Sequence, residues 1–304
     1  MCRVKSPQNL SLRAVILAVS DNRLEPMVLS HFQTSAMLSA FYEGERSVVS
    51  STDLGMTPAK TTLSEQYVSF SDGTVLSWDA VRQINDHDTQ CFIIENNMPR
   101  PVAGYSDRSG WSFSLFPTES APALIAAGFP MHRVKNISPL AAAGLMLESI
   151  APIDGRILDT ATGLGYTAIL AAKTADKVTT IELEPAAQEI ARQNPWSHEL
   201  FNNLKIDRII GNCIDIILEF DSGAFSGIIH DPPALSLAGD LYSFEYYLQL
   251  FRVLKTGGRL FHYIGDPGTR SGERVTKGII RRLHDAGFKQ VVRKPKAFGV
   301  VALK

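Results

Sequence analysis

A chain of 304 residues with 45% hydrophobic and 20% charged side chains has enough apolar material for two cores, so it folds without disulfide or metal staples. Its formal net charge of −1, from 30 Lys and Arg against 31 Asp and Glu, excludes a surface coated overall with phosphate contacts. The three cysteines, Cys2, Cys91 and Cys213, lack metal-ligand spacing and cannot all pair, which reads as buried thiols in a reducing, cytoplasmic compartment and predicts no metal site.

The early apolar run at residues 14–19 is too short to cross a bilayer, and no leader pattern precedes it, so neither secretion nor a membrane partner is expected. Up to about residue 140 the pattern is mainly β. Residues 27–42 carry a weak helical signal. Residues 67–70 and 74–78 read as two strands joined by Ser71-Asp72-Gly73, because Asp-Gly supplies the positive φ values of a tight hairpin. Residues 91–95 and 111–116 are further strands. Residues 118–122 are a candidate lid segment over a cleft. Gly128-Phe129-Pro130-Met131-His132-Arg133 then places a polar triplet beside a turn. There His132 is a candidate base and Arg133 a candidate anchor for an anionic substrate group, with an ordinary surface loop as the competing reading. Asn136-Ile137-Ser138-Pro139 precedes an Ala-rich helix at residues 140–149, dividing the chain into an N-terminal β-rich domain, 1–136, and a second domain, 137–304.

The next segment is the most informative. Ile157-Leu158-Asp159 reads as the end of a buried parallel strand, followed by the loop Thr160-Ala161-Thr162-Gly163-Leu164-Gly165 and an Ala- and Leu-rich helix at residues 166–175. Val178-Thr179-Thr180-Ile181-Glu182 is the next strand, and its acid lies 23 positions after Asp159. That is close to the separation of about 20 residues at which a second-strand carboxylate grips ribose hydroxyls. The pair points to an adenosine-containing cofactor. A dinucleotide fits badly, since Ala161 and Thr167 stand where the first and third glycines of that fingerprint belong. A carboxylate at the strand tip suits a cationic amino group instead. S-adenosyl-L-methionine carries such a cation and no phosphate.

At these residues the C-terminal half resembles the class I S-adenosylmethionine-dependent methyltransferases. The resemblance implies that Asp159, Thr160, Gly163 and Gly165 shape the pocket for the methionine part and that Glu182 holds the ribose. It also puts Asn212, in Ile209-Ile210-Gly211-Asn212-Cys213, beside the adenine amine as an acceptor.

Gly227-Ile228-Ile229-His230 is a fourth strand, ending in Asp231-Pro232-Pro233, where two prolines fix a rigid extended turn. The turn is similar to that of amino-group methyltransferases, in which such an Asp accepts hydrogen bonds from the target amine. On that likeness Asp231 is the candidate catalytic residue, and Pro232 and Pro233 line the acceptor site. The pattern departs in its fourth place, where Ala234 stands instead of a stacking aromatic. Tyr242, Phe244, Tyr246 and Tyr247 lie just downstream and could replace it, although their spacing also suits a helix core. His230 precedes Asp231 and can face the other side of the sheet.

Residues 241–254 read as an amphipathic helix, Lys255-Thr256-Gly257-Gly258 as its stop and 259–264 as a strand. The family resemblance implies a final antiparallel hairpin, which residues 287–293 and 298–303 look like. The expected fold is α/β: a Rossmann-like class I methyltransferase sheet with an antiparallel C-terminal hairpin, plus the N-terminal β-rich domain. The expected activity is methyl transfer from S-adenosyl-L-methionine to a small molecule or RNA. A β domain ahead of a cofactor fold also resembles spermidine and spermine synthases, which transfer an aminopropyl group, and a non-catalytic cofactor-binding protein is the third reading. RNA enters because residues 259–304 hold 11 Lys and Arg against 3 Asp and Glu. A homo-oligomer is compatible with the chain.

Overall fold

The computed structural model describes residues 15–16, 26–266 and 270–304. Cys2 and most of the early apolar run lie outside these. Val15–Ile16 pairs antiparallel with Ile210 and Ile209 at one edge of a large sheet.

That sheet has eight strands in the order Val15–Ile16, Ile206–Ile210, Lys177–Glu182, Arg156–Asp159, Phe225–His230, Leu254–Tyr263, Gly299–Leu303, Gln290–Lys294. The five central strands run parallel, and the last two form the antiparallel C-terminal hairpin. Strands built from Val, Ile and Leu on both faces need cover on both faces. Helices Pro139–Ile150 and Tyr166–Ala172 supply one side, and Phe244–Val253 and Arg270–Asp285 the other. This is the Rossmann-like sheet of the class I methyltransferase fold, with its C-terminal hairpin and an N-terminal β-rich part.

From Arg156–Asp159 the chain steps outward to Lys177–Glu182 and Ile206–Ile210, then returns to lay Phe225–His230 on the opposite flank. The crevice between the strands ending in Asp159 and His230 is therefore the switch point, where open α/β sheets bind ligands. Register places Asp159 beside Ile229 and Thr180, so the strand tips and their loops converge on one edge.

The first half contains three small sheets. The expected hairpin forms between Tyr67–Ser69 and Val75–Ser77, but Trp78 starts a helix, Trp78–Asn85, because Ser77 accepts a hydrogen bond from Ala80 N–H and caps it. The helical signal at 27–42 resolves into a short strand, Val28–Leu29, and a helix, His31–Tyr42, separated by a Ser30–Gln33 capping box. A meander of Ala103–Ser106, Trp111–Phe116, Ala123–Ala126 and Phe129–Pro130 packs against helix Pro185–Gln193 of the second half. One buried apolar cluster runs from Val28, Phe113 and Leu124 through Met146 and Tyr166 to Ile190, across residue 136. Two corrections concern the far end. Residues 255–258, read as a helix stop, belong to the long strand Leu254–Tyr263. Helix Arg270–Asp285, absent from the sequence reading, covers the sheet through Ile279 and Leu283.

Candidate functional site

A cavity of about 310 Å³ opens at the switch point, within the usual size range for small-ligand sites. The large sheet supplies its floor: Thr160 and Gly163 of the first loop, Glu182, Asn212, and Asp231-Pro232-Pro233. The meander supplies its roof through Trp111, Phe113, Leu124 and Met131, with His132 and Arg133 beside them. These roof residues escaped the sequence reading, although the alternation of Trp111, Phe113 and Leu115 marks one buried strand face.

The floor is held by the acids themselves. Gly163 N–H donates to Glu182 Oε2 at 2.8 Å and Glu184 N–H to Glu182 Oε1 at 3.0 Å. Burial raises the Glu182 carboxyl above its ordinary range, and the two N–H groups act against that rise. Gly163 has φ +52°, and a Cβ there would lie 3.9 Å from His132 Cε1, so space rather than contact surrounds it. Gly165, with φ +78°, is different. A Cβ there would come within 2.6 Å of Leu200 Cδ2, and Gly165 does not line the cavity. Its glycine serves helix packing.

Asp159 also lies outside the lining. It is 1% exposed, and its Oδ2 accepts from Thr167 Oγ1 at 2.9 Å and Thr180 Oγ1 at 3.1 Å. Its Oδ1 is buried without a partner, and burial pushes the carboxyl up to about 7. Asp159 thus supports the loop from behind and adds negative potential to the cavity. Asn212 lines the cavity, and its Oδ1 accepts from Ile214 N–H at 3.0 Å as the cap of the next helix, which uses one of the oxygen's two lone pairs and keeps the amide NH₂ as a further donor.

Asp231 is half-buried at the acceptor end and makes no side-chain hydrogen bond among the described residues. Burial, with Asp159 nearby, pushes its carboxyl up to about 7. The turn after it is pinned, since Tyr242 OH donates to Pro233 O at 3.0 Å. Beneath it, His230 faces the sheet interior. Its Nε2 donates to Leu241 O at 3.0 Å, which leaves Nδ1 to accept from Thr160 Oγ1 at 2.7 Å. This bridge joins the first loop to the segment that follows Asp231. Three of the downstream aromatics are core, as their spacing allows, since Tyr242, Tyr246 and Tyr247 are at most 5% exposed and Tyr246 OH meets Cys213 Sγ; Phe244 is exposed, and none of the four lines the cavity.

His132 does not fit the role of base. Its Nδ1 accepts from Leu124 N–H at 3.2 Å, and burial depresses its pKa to about 4, so it stands as a neutral ring with Nε2–H as a donor near Gly163. Arg133 lines the mouth, its guanidinium 3.7 Å above the Phe298 ring and its Nη1 donating to Lys296 O at 2.7 Å. Residues 118–122 form a turn outside the cavity lining, and Pro122 O accepts from Tyr166 OH at 2.8 Å. Among the described residues no group of three or more His, Cys, Asp or Glu could hold a metal, and no helix is long and apolar enough to cross a membrane.

The fold and cleft define a chain of the class I methyltransferase architecture. Two spermidine synthases share it: one in complex with the transition state analogue AdoDATO (TM-score 0.55, 19% identity, 66% of this chain and 71% of that one) and one from Thermotoga maritima (TM-score 0.53, 18% identity, 69% and 76%). No protein-family model matches the chain. It is 40% identical over 243 residues to the uncharacterized protein MJ1233 of Methanocaldococcus jannaschii, covering 79% of this chain and 82% of that protein, and belongs to the same family.

Proposed function

We propose that the protein transfers the methyl group of S-adenosyl-L-methionine to an amine nitrogen seated on Asp231. The observation that carries this reading is an Asp231 carboxylate with no internal partner, across the crevice from a glycine loop clasped by Glu182. The cofactor fits by charge. Glu182, Glu184 and Asp231 line the cavity and Asp159 lies behind it with an orphaned Oδ1, so a sulfonium and an ammonium are welcome and a pyrophosphate is repelled. Gly163 N–H, which would otherwise meet phosphate, is already given to Glu182. Ile181, Leu183, Ala187 and Cys213 offer apolar walls for an adenine, and the free Asn212 NH₂ suits a ring nitrogen.

Transfer needs an in-line nitrogen lone pair. It forms the new C–N bond as the C–S bond breaks and sulfur keeps the electron pair, leaving a neutral thioether. Positioning supplies most of the acceleration. Asp231, titrating near 7, can take the proton that leaves the nitrogen.

Aminopropyl transfer is the second reading, favoured by the architecture shared with spermidine synthases over about two-thirds of the chain. Against it, the acceptor end offers one carboxylate, Asp231, where a polyamine with several ammonium groups needs several. Calorimetric titration with S-adenosylmethionine, its decarboxylated form and NAD separates the readings. Tightest binding of the first is expected. Preference for the decarboxylated form would install aminopropyl transfer, and binding with no transfer to any acceptor would leave a sensor.

A further inference from the structure

Besides Asp231, the mouth of the cavity holds a positive charge that the transfer itself does not use. Arg133 is the sole Lys or Arg in the lining, and no carboxylate pairs with it among the described residues. Its plane is fixed by the Phe298 ring on one side and by the Lys296 carbonyl at one Nη, leaving Nε and the other Nη without a partner among the described residues. A stacked guanidinium held in one orientation has already lost the freedom that anion binding would otherwise cost, and its fork matches a planar or tetrahedral oxyanion. On the other side stands Asp231.

Register places both charges at one end, beside Tyr263 of the same lining. His230 pairs with His262, so Asp231 follows at the level of Tyr263, and Tyr263 pairs with Gly299, next to the Phe298 ring on which Arg133 stacks. The remaining lining carboxylates belong to the cofactor end and are engaged there. Glu182 accepts from Gly163 and Glu184 N–H, and Glu184 accepts from Ser106 Oγ at 2.5 Å.

We propose that the acceptor is zwitterionic, with its amine on Asp231 and an oxyanion, a carboxylate or phosphate, on Arg133. This rests on the methyl-transfer reading and narrows its substrate class. A free polyamine or a simple alkylamine satisfies Asp231 but leaves Arg133 facing only positive charge, which Coulomb repulsion disfavours. An amine that carries its own acid satisfies both, and the span between the two charges selects its length.

The test uses the full chain, methyl-labelled S-adenosylmethionine and the dialysable small-molecule fraction of the source cells. The expected labelled product is amphoteric, retained by a cation exchanger in acid and by an anion exchanger in base. A labelled product that is cationic only, or no labelled small molecule, overturns the proposal. With the acceptor in hand, Arg133→Gln should raise its KM about 10- to 100-fold at nearly unchanged kcat, as expected for a lost charge-assisted contact, and Arg133→Lys should recover part of it. An unchanged KM in Arg133→Gln overturns the assignment. Calorimetry on both variants keeps the two levels apart: cofactor affinity equal to wild type shows an intact fold, whereas a wild-type chain that fails to bind the cofactor sinks the methyl-transfer reading itself.

Discussion

Gly163 N–H and Glu182 Oε2, 2.8 Å apart, join the first loop to the tip of the neighbouring strand. An acid that faces the cavity thereby also helps to hold the loop in place. Glu182→Ala removes the acceptor for two backbone N–H groups as well as a proposed ribose contact. Calorimetry should show cofactor binding weakened by about 1–3 kcal/mol, with Glu182→Gln intermediate because its amide oxygen keeps part of the bonding. Wild-type affinity in Glu182→Ala would remove this residue from the site.

The two loop glycines should separate cleanly. At Gly165 a methyl group meets Leu200 within 2.6 Å at a positive φ, so Gly165→Ala is expected to lower stability by about 1–3 kcal/mol in urea unfolding. Gly163→Ala, whose Cβ meets nothing closer than 3.9 Å, should cost about 1 kcal/mol of backbone strain while obstructing the cofactor. Equal effects of the two on affinity would contradict the assignment.

Asp159 acts from behind the wall, so its removal should be felt first in folding. Asp159→Ala leaves the hydroxyls of Thr167 and Thr180 without their buried acceptor and should destabilise the protein by about 2 kcal/mol, measured by urea unfolding. Asp159→Asn retains an acceptor and lifts the charge, so it should be milder for folding while still weakening a cationic ligand. A stable Asp159→Ala protein would show that the Thr–Asp–Thr cluster is dispensable.

Proton linkage gives a separate handle. Burial raises Asp159 and Asp231 to about 7, so the native state holds protons that the unfolded chain, titrating near about 4, has released. The stability from this source is complete below about pH 4 and is lost as pH rises through about 7. A bound sulfonium has the opposite preference. The thermal shift caused by S-adenosylmethionine should therefore be larger at pH 8 than at pH 6, and turnover should rise through about pH 7, with that limb missing in Asp231→Asn. A shift independent of pH would mean that neither carboxylate senses the cofactor.

The bridge from Thr160 through His230 to Leu241 couples the cofactor loop to the acceptor loop. Thr160→Val strands a buried imidazole nitrogen, at a cost of about 1–3 kcal/mol. It should lower kcat more than cofactor affinity, because it frees the segment after Asp231 and leaves the Glu182 clasp intact. Steady-state kinetics beside calorimetry reads this out; unchanged kcat would make the bridge a matter of folding alone.

The parallel strands and the two acids were legible because apolar runs ending in Asp159, Glu182 and His230 betray strands whose tips face one edge. The final hairpin was legible from the likeness to the methyltransferase family. Helix Arg270–Asp285 was overlooked, although Val275, Ile279 and Leu283 recur at four-residue spacing and pack toward the sheet, because charged residues separate them. Nor could spacing tell that His132 gives its lone pair to Leu124, that Asn212 caps a helix, or that Asp159 turns toward two threonines. Such outcomes depend on which distant backbone or hydroxyl group folding brings alongside. The roof was hidden for the same reason, as a strand face carrying Trp111 and Phe113 shows that it is buried and not what it is buried against.

The apolar cluster that passes unbroken from the meander to the helices beneath it has a consequence for traffic through the cleft. Parting roof from floor like a clamshell would wet that shared interior at a cost of about 25 cal/mol for each Å² of apolar surface exposed. That cost favours a ligand route past the turn that follows Pro233, where Leu235 and Leu237 stand partly in solvent.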